Sequence, residues 1–261
     1  MKTKHFLVAL LSVLLVIMGC SSGSKVTINL SAGEGVNLNG ATVTLTNHDG
    51  NLLHVYEQVA RGNIVNFRNV AQGTYSLRVT HLGVIITVNN NLQIMAKEFL
   101  SSETVSYIGG VGPAGGIVFF DKGNNSDGWR FMEAAPASSE FDAQWGAWGH
   151  DVSGIQLTVG SGRRNTELIV ARLVQLGETG RAAQLCVALN INGFNDWFLP
   201  SRDELNQMYL NRAIIRDFSD SWYWSSSQWS ALDVWGQSFG NGDQGISSKG
   251  GTNRVLVVRA F

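Results

Sequence analysis

The chain has 261 residues with 19 basic and 20 acidic side chains, so its net charge of −1 favours neither nucleic acid nor an acidic membrane surface as a partner. Charged residues make up only 15 %, whereas there are 30 glycines and 8 tryptophans. This composition is typical of a compact, loop-rich exported protein and not of a disordered one. The length suits two domains.

The N-terminus has the pattern of a targeting segment. A positively charged start precedes an almost unbroken apolar run over residues 6–18, which is too short to span a membrane. Cys20 directly follows Gly19, an arrangement that resembles the lipobox of bacterial lipoproteins. The resemblance implies a signal peptide over residues 1–19, lipidation of Cys20 and a flexible tether over 20–24. A plain secretory signal is the alternative. We expect a lipid-anchored protein of the cell envelope, at the outer membrane surface.

Cysteine usage leaves no internal disulfide. If Cys20 is lipidated, Cys186 is the one thiol that remains. Cys186 lies in an apolar segment with a helical pattern, and the sequence places no obvious histidine or cationic residue beside it. We interpret it as a small buried hydrophobic residue and not as a nucleophile.

Residues 25–103 are predicted to form an all-β domain. Apolar and polar residues alternate in four segments separated by Gly- and Asn-containing turns, at residues 26–30, 41–46, 64–67 and 75–79. This spacing favours an immunoglobulin-like β-sandwich. The segments that begin at Gly40 and Phe67 loosely resemble the carboxypeptidase-regulatory or immunoglobulin-like modules of exported proteins, which implies a spacer or scaffold. Three scattered histidines are interpreted as surface or structural residues: His48, His54 and His81.

Residues 104–261 are predicted to form an α+β domain. It opens with the glycine-rich segment 107–116, which a strand follows and which lacks the Gly-Lys-Ser/Thr of a phosphate-binding loop, so we interpret the glycines as tight turns between the domains. A hairpin is predicted across residues 122–128. Helices are predicted over 167–176, with Asn165 or Thr166 as N-cap, over 181–189, and from Ser201, where Ser201 and Glu204 form a capping box. Strands follow from Ser221 to the chain end.

Three stretches of this domain have a more specific resemblance. They are Gly112–Asp121 with Gly128–Pro136, Asn195–Leu205, and Tyr223–Ser227 with Val258–Phe261. Together they resemble the bacterial C-type-lectin-like domains of collagen-like adhesins and spirochaete lipoproteins. The third stretch is most similar to the variable proteins of diversity-generating retroelements, in particular the treponemal ones. The resemblance implies a C-type-lectin-like fold of the formylglycine-generating-enzyme type, with a C-terminal region that adenine-directed mutagenesis rewrites into an exposed ligand-binding surface.

The resemblance divides the C-terminal region into a fixed frame and a variable surface. Randomised adenines in AAC codons cannot give Trp, Gln, Lys, Glu or Met. Trp235, Gln237, Gln244 and Lys249 are therefore expected to be fixed. With Phe239, expected to pack beneath the surface, and the closing strand Arg254–Phe261, they form the expected frame. The expected ligand-binding positions are Ser230, Ala231, Leu232, Asp233, Val234, Gly236, Ser238, Gly240, Asn241, Asp243, Gly245, Ile246, Ser247, Ser248, Gly250, Gly251 and Asn253. We expect these side chains to be exposed on one face, with Trp222 and Trp229 as fixed contacts.

Other functions fit the sequence less well. A formylglycine-generating enzyme uses a pair of cysteines, whereas this domain has Cys186 alone. His150-Asp151 lacks a Gly-x-Ser-x-Gly nucleophile motif, and no acidic cluster provides the six to eight oxygen ligands that calcium takes. We therefore expect no catalytic residue, cofactor or metal, and a monomer, because no heptads occur. The expected partner is a protein or glycan on another cell or host matrix. The alternative is a non-diversified matrix or glycan adhesin of the same fold.

Overall fold

The computed structural model describes residues 9–14, 24–32, 37–47, 55–94, 100–215 and 218–261. The chain is mostly β-sheet with few helices and divides into two compact units, Met1–Gly110 and Val111–Phe261. This boundary lies seven residues after the one predicted from the sequence, between 103 and 104. The predictions for Cys20, His48 and His54 lie outside the described residues.

The first unit contains two four-stranded antiparallel sheets, with strand orders β5–β2–β1–β8 and β4–β3–β6–β7. Its strands are β1 (Ala9–Leu14), β2 (Ser24–Asn29), β3 (Thr42–Asn47), β4 (Val55–Val59), β5 (Ile64–Val70), β6 (Gly73–His81), β7 (Val84–Ile94) and β8 (Leu100–Val105). Alternate residues of β3 are buried, as the period-two pattern predicts. Strands β4, β7 and β8 lack a clear alternation in sequence and were not predicted.

Strand β1 lies inside the segment that the sequence predicts to be a signal peptide. In the structure of the whole chain its backbone pairs with β2 and, over six residues, with β8. Removal of residues 1–19 stays a prediction.

Among its described residues, the second unit combines two sheets with four α-helices. Its elements are β9 (Ile117–Asp121), β10 (Phe131–Ala134), β11 (Phe141–Gln144), α1 (Gly162–Gln175), α2 (Ala182–Val187), α3 (Arg202–Leu210), α4 (Arg212–Ile215), β12 (Trp222–Gln228), β13 (Asp233–Ser238), β14 (Gln244–Ser248), β15 (Thr252–Val255) and β16 (Val258–Ala260). The sheet orders are β16–β10–β9 and β11–β15–β12–β13–β14. The second sheet is antiparallel except where β12 meets β15.

Helix α1 begins at Gly162, so the predicted N-caps Asn165 and Thr166 are wrong. Both residues lie inside the helix and are buried. The Asn165 amide bonds to the backbone N and O of Gln156 at 2.9 and 2.7 Å, and the Thr166 hydroxyl accepts the amide of Leu199 at 3.0 Å. Asn and Thr often cap helices, but here Asn165 and Thr166 form hydrogen bonds with distant segments instead. Helix α2 is shorter than predicted and ends at Val187.

The capping box of α3 is confirmed. The Ser201 hydroxyl accepts the amide of Glu204 at 3.2 Å, and Oε2 of Glu204 accepts the amide of Ser201 at 2.7 Å. Oε1 of Glu204 also accepts the amides of Gly160 and Gly162, at 2.8 and 3.1 Å. Burial raises the pKa of Glu204 to about 7, while these amides oppose the shift. One carboxylate therefore joins the starts of α1 and α3.

The glycine-rich segment at the start of the second unit surrounds a carboxylate of the protein itself. Glu133 is fully buried and accepts the amides of Ala114 and Gly116, at 3.2 and 2.9 Å. Arg259 completes its shell with a 2.8 Å ion pair. A Cβ atom at Gly112 or Gly116 would overlap the carboxylate or the neighbouring backbone. These glycines therefore make room for a buried ion pair, a role beyond the predicted tight turns.

Two hydrophobic clusters hold the five-stranded sheet in place. One packs α1 and α2 against the sheet and contains Trp145, Trp197 and Trp224; the other contains Tyr223 and Phe239, next to α3. Each buried aromatic side chain removes a large apolar area from water. All 8 tryptophans of the chain lie in the second unit. The sheet is thus fixed from both sides, which leaves β13 and β14 at its outer end.

Candidate ligand-binding surface

The hairpin of β13 and β14 is the element on which most of the expected binding positions lie. Its two strands pair in unbroken register, from Asp233 with Ser248 to Gln237 with Gln244. The inner strand β13 pairs in turn with β12. Consecutive side chains of each strand point to opposite faces, so the hairpin has two distinct sides.

One side of the hairpin carries Trp222. Gly236 and Gly245 are direct partners across the hairpin, and the Trp222 ring lies 3.5 and 3.0 Å from the positions that their Cβ atoms would take. The ring therefore covers two positions without side chains. It remains 38 % exposed.

The other side carries Trp229, which is 60 % exposed. Its ring meets that of Trp235 edge to face, with centroids 5.2 Å apart and an interplanar angle of 85°. Trp235 is the cross-strand partner of the exposed Ile246, and the guanidinium of Arg202 lies 5.4 Å from the Trp235 ring centroid. We call Trp229, Trp235, Ile246 and Arg202 the Trp229 cluster. Because Trp235 and Gly236 are consecutive in β13, the Trp229 cluster and Trp222 lie on opposite faces.

Three turns meet beside the Trp229 cluster. The amide of Gly149 donates to the carbonyl of Ala231 at 3.0 Å, and that of Lys249 donates to the carbonyl of Leu232 at 2.9 Å. Trp148, 59 % exposed, lies 3.6 Å from where the Cβ atom of Gly250 would be. The sequence analysis missed Trp148. A tryptophan in the glycine-containing segment 146–149 was the available signal for it.

Lys249 anchors these turns from below. Its side chain is fully buried, and its ammonium donates to the carbonyl of His150 at 2.7 Å and to Oε1 of Gln228 at 2.6 Å. The ammonium also lies 4.9 Å from the Trp145 ring centroid. Burial lowers the pKa of Lys249 to about 8, although nearby Asp151 and Asp233 oppose the shift. A cation held by neutral acceptors and one aromatic ring thus fixes the loop that follows β14.

Most of the expected binding positions are accessible. Exposed are Leu232, Gly240, Asn241, Asp243, Ile246, Ser248, Gly250 and Gly251. Partly exposed are Ser230, Ala231, Asp233, Ser238, Gly245, Ser247 and Asn253.

The expectation of exposure is wrong for Val234 and Gly236. Val234 is 0 % exposed and packs in the cluster that contains Trp224, because the alternation of β13 turns it inward. Gly236 is buried against β12, and a Cβ atom there would lie 2.9 Å from the carbonyl of Tyr223. Neither position offers a side chain to a ligand.

The expectation of a single face is also wrong. Asp233, Ile246 and Ser248 belong to the side of the Trp229 cluster, whereas Gly245 and Ser247 belong to the side of Trp222. The physical reason is the two-residue period of a strand, which divides a continuous run of positions between both faces.

The residues of the expected frame differ in burial. Gln237, Phe239 and Lys249 are buried. Gln244 is exposed, however, and its amide is 3.5 Å from the carbonyl of Arg202. Trp235 is only partly buried because it lies against Trp229. These two residues belong to the accessible surface.

The other chemically notable residues are engaged in structural contacts. Cys186 is fully buried, and burial raises the pKa of its thiol far above the ordinary value. Nδ1 of His150 is 3.3 Å from Nη2 of Arg172, and Asp151 accepts a 3.1 Å hydrogen bond from Gln228. Within the described ranges no group of three or more His, Cys, Asp and Glu residues is placed to hold a metal ion. Among the same residues, no helix has the length and apolar character to cross a membrane.

No family model matches the chain, and no curated protein matches it. A solved structure to which the chain is similar is a fimbrial protein from Bacteroides ovatus ATCC 8483. The alignment has 10 % identity, covers 98 % of this chain and 71 % of the other, and has a TM-score of 0.40. These comparisons assign neither a ligand nor an activity to the chain.

Proposed function

We propose that the protein is a lipid-anchored, surface-displayed binding protein whose second unit holds a protein or glycan ligand in the manner of the variable proteins of diversity-generating retroelements. The observation that carries the proposal is the state of Trp229, which is 60 % exposed and yet fixed edge to face against Trp235. A large aromatic side chain already held in one position loses little conformational entropy on binding, and exposed tryptophans are frequent hot spots.

The grouping of exposed aromatic residues supports a binding role. Trp229 and Ile246 are exposed on one face of the hairpin and Trp222 on the other, and Trp148 and Leu232 are exposed in the turns beside it. Single exposed apolar residues are common in soluble proteins and need no explanation, whereas a group of them marks an interaction surface.

The support beneath the surface favours a tolerance for sequence change. Lys249 bonds to the carbonyl of His150 and the side chain of Gln228, and Glu204 bonds to backbone amides of Gly160 and Gly162. None of these partners is an expected binding position, so substitutions at the binding positions leave the supports in place. Asn241, Ser248 and Gly250 lie outside both hydrophobic clusters. Substitutions at such positions cost little stability, as a diversified surface requires.

One observation favours the second candidate, an adhesin of fixed sequence. Val234 and Gly236 were expected to vary, yet both are buried and Gly236 has no room for a side chain. A diversified gene must therefore spare these two codons. A gene without a template repeat has no such requirement.

Binding is better supported than catalysis. A thiol nucleophile must ionise and be reached by substrate, and burial opposes both for Cys186. Nδ1 of His150 lies 3.3 Å from Nη2 of Arg172, and Asp151 accepts a hydrogen bond from Gln228, so both side chains are engaged in contacts with the fold.

Binding of the full chain to arrays of glycans and matrix proteins tests the proposal. We expect Trp229→Ala to weaken capture of any retained ligand at least about tenfold, in the range of hot-spot truncations. Val174→Ala is the matched control, because Val174 is equally exposed but lies on α1, outside the hairpin. Unchanged binding by both Trp229→Ala and Trp222→Ala would refute the assignment of this surface.

The genomic flank separates the two candidates. A near-identical repeat that differs mainly at template adenines, next to a reverse transcriptase gene, is the expected finding. Its absence would leave the fixed adhesin.

A further inference from the structure

Strand β14 has a free backbone edge. It is the last strand of the five-stranded sheet, and within the described part of the chain it pairs with β13 alone. Its side chains are all exposed or partly exposed. Nothing in the described residues covers its outer side.

The hydrogen bonds at both ends of the hairpin show which backbone groups point outward. The amide of Ser238 donates to the carbonyl of Asp243, and the amide of Lys249 donates to the carbonyl of Leu232, both at 2.9 Å. Hydrogen-bonded pairs alternate along an antiparallel ladder, so Gly245 and Ser247 bond to β13. The amide and carbonyl groups of Gln244, Ile246 and Ser248 therefore face away from the sheet. They form a row of three donors and two free acceptors, because the carbonyl of Ser248 already accepts the amide of Gly251 at 2.9 Å.

This edge lacks the usual protection against strand pairing. Edge strands of native proteins are blunted by charged residues, prolines or bulges. Among the edge strands described in the second unit, β9 contains Asp121, β11 contains Asp142 and β16 contains Arg259. Strand β14, with the sequence Gln-Gly-Ile-Ser-Ser, contains no charge and no proline, and its register shows no bulge. Val111 forms an isolated β-bridge with Ile117 of β9, and Phe198 forms one with Val258 of β16. The edges of β9 and β16 are therefore partly paired.

The surroundings of the edge fit an extended chain with basic ends. A strand added to β14 would place alternate side chains beside Ile246 on one face and beside Trp222 on the other. Asp243 precedes β14, and Asp233 lies opposite its last residue. Neither carboxylate forms a salt bridge with a described residue, whereas Arg202 is already paired with Asp203 at 2.7 Å. The Lys249 ammonium interacts with Asp233 and offsets its charge in part, so the negative charge along this edge is greatest beside Asp243.

We infer that the ligand is a polypeptide segment in extended conformation, which pairs with the free edge of β14, places apolar side chains beside Ile246 and Trp222, and carries Lys or Arg near its ends. The inference rests on the proposed function and names its ligand class. Five paired residues span about 17 Å at the usual rise of a strand. The backbone supplies the affinity, and the flanking aromatic residues and carboxylates supply the selectivity.

The test uses the full chain and synthetic peptides of seven residues, in which Val and Thr alternate between a Lys at each end. Tryptophan fluorescence measures the Kd, and amide hydrogen exchange at Gln244, Ile246 and Ser248 locates the contact. Two further peptides are N-methylated at every second backbone amide. The first is methylated at the odd-numbered amides and the second at the even-numbered ones, so each blocks a different edge of the peptide. Because only one edge of the peptide pairs with β14, we expect one methylated peptide to bind at least about fivefold more weakly, as loss of two hydrogen bonds implies, and the other to bind normally. A peptide with Glu ends should bind more weakly than the Lys peptide.

Variants of the protein complete the test. Ile246→Pro removes an outward donor and leaves the bonds to β13 intact, whereas Ile246→Thr changes the side chain and keeps the donor. We expect Ile246→Pro to lose peptide binding and Ile246→Thr to retain more of it. If Ile246→Pro does not fold, the methylated peptides decide the question on the unaltered chain.

Two results overturn the inference. One is equal binding of both methylated peptides. The other is an absence of peptide binding while a glycan or folded protein binds in a manner that Trp229→Ala abolishes; the proposed function then stands without a peptide ligand.

Discussion

The ammonium group of Lys249 donates a 2.6 Å hydrogen bond to Oε1 of Gln228, 21 residues earlier in the chain. The same oxygen accepts the amide of Val152 at 2.9 Å, and the amide nitrogen of Gln228 donates to Asp151 at 3.1 Å. One glutamine at the end of β12 thus connects the loop after β14 with the segment at residues 150–152. The surface turns depend on a buried cation that forms no direct ion pair with a described residue.

This buried cation predicts a pH dependence of stability. Burial lowers the pKa of Lys249 from 10.5 to about 8. At pH values between these two pKa values, the Lys249 side chain is protonated in the unfolded chain and neutral in the folded chain. The free energy of unfolding therefore rises with pH. We expect Lys249 to contribute about 1–3 kcal/mol to this rise, and Lys249→Met to lack it. Urea unfolding of both proteins from pH 7 to pH 11 measures the difference.

Lys25→Met is the control, because Lys25 is an exposed residue of β2. It should keep the pH profile of the unaltered chain. A profile shared by the unaltered chain and Lys249→Met would show that Lys249 is not desolvated in solution.

The carboxylate of Glu204 is expected to be essential for the starts of two helices. In Glu204→Gln one of the two acceptor oxygens becomes an NH₂ group, which faces backbone amides that are also donors. We expect a loss of about 1–3 kcal/mol in the free energy of unfolding. Chemical denaturation measures it, with the exposed Glu167→Gln of α1 as a control of the same chemistry. Equal stability of the two variants would contradict this role.

Gly236 is expected not to accept a side chain. In Gly236→Ala the new methyl group would lie 2.9 Å from the carbonyl of Tyr223 and 3.5 Å from the Trp222 ring, so we expect about 1–3 kcal/mol of destabilisation and a displaced Trp222. Thermal unfolding and tryptophan fluorescence report the two effects. Gly250→Ala, whose methyl group would lie 3.6 Å from Trp148, should unfold like the parent. A stable Gly236→Ala would restore this position to the variable set.

Substitution of Trp229 should affect ligand binding more than stability, whereas substitution of Trp224 should mainly reduce stability. Trp229 is largely exposed, so Trp229→Ala loses mainly its contact with Trp235, about 0.5–1.5 kcal/mol. Trp224 is fully buried, and its ring nitrogen donates to the carbonyl of Ala143 at 2.8 Å. Trp224→Ala should therefore cost about 3–5 kcal/mol. Equilibrium unfolding in urea compares them, and a cost for Trp229→Ala as large as that for Trp224→Ala would show that Trp229 is a core residue.

Features that depend on neighbouring residues in the chain could be predicted from the sequence. The capping box of Ser201 and Glu204 spans three residues, and its two hydrogen bonds form within one turn of helix. The alternation in β3 directly gives its buried face. The composition also indicated a compact, loop-rich chain.

Features that depend on distant partners were misjudged. Asn165 and Thr166 have the character of N-caps, but their side chains bond to Gln156 and Leu199, and α1 begins earlier. Trp148 was overlooked because its exposure depends on the loops that surround it. That Trp235 and Gln244 are fixed in sequence stays a prediction from codon type, which their exposure does not test.

By itself, the sequence determined the strand alternation, the turns, the capping box and the set of small and aromatic residues near the C-terminus. Each of these follows from local geometry or residue chemistry. Only the tertiary structure decided that Val234 and Gly236 are buried, that Trp222 and Trp229 lie on opposite faces, and that β14 is a free edge. The physical reason is that burial and strand order depend on which distant segments pack together, and the pattern within one segment does not specify its partner.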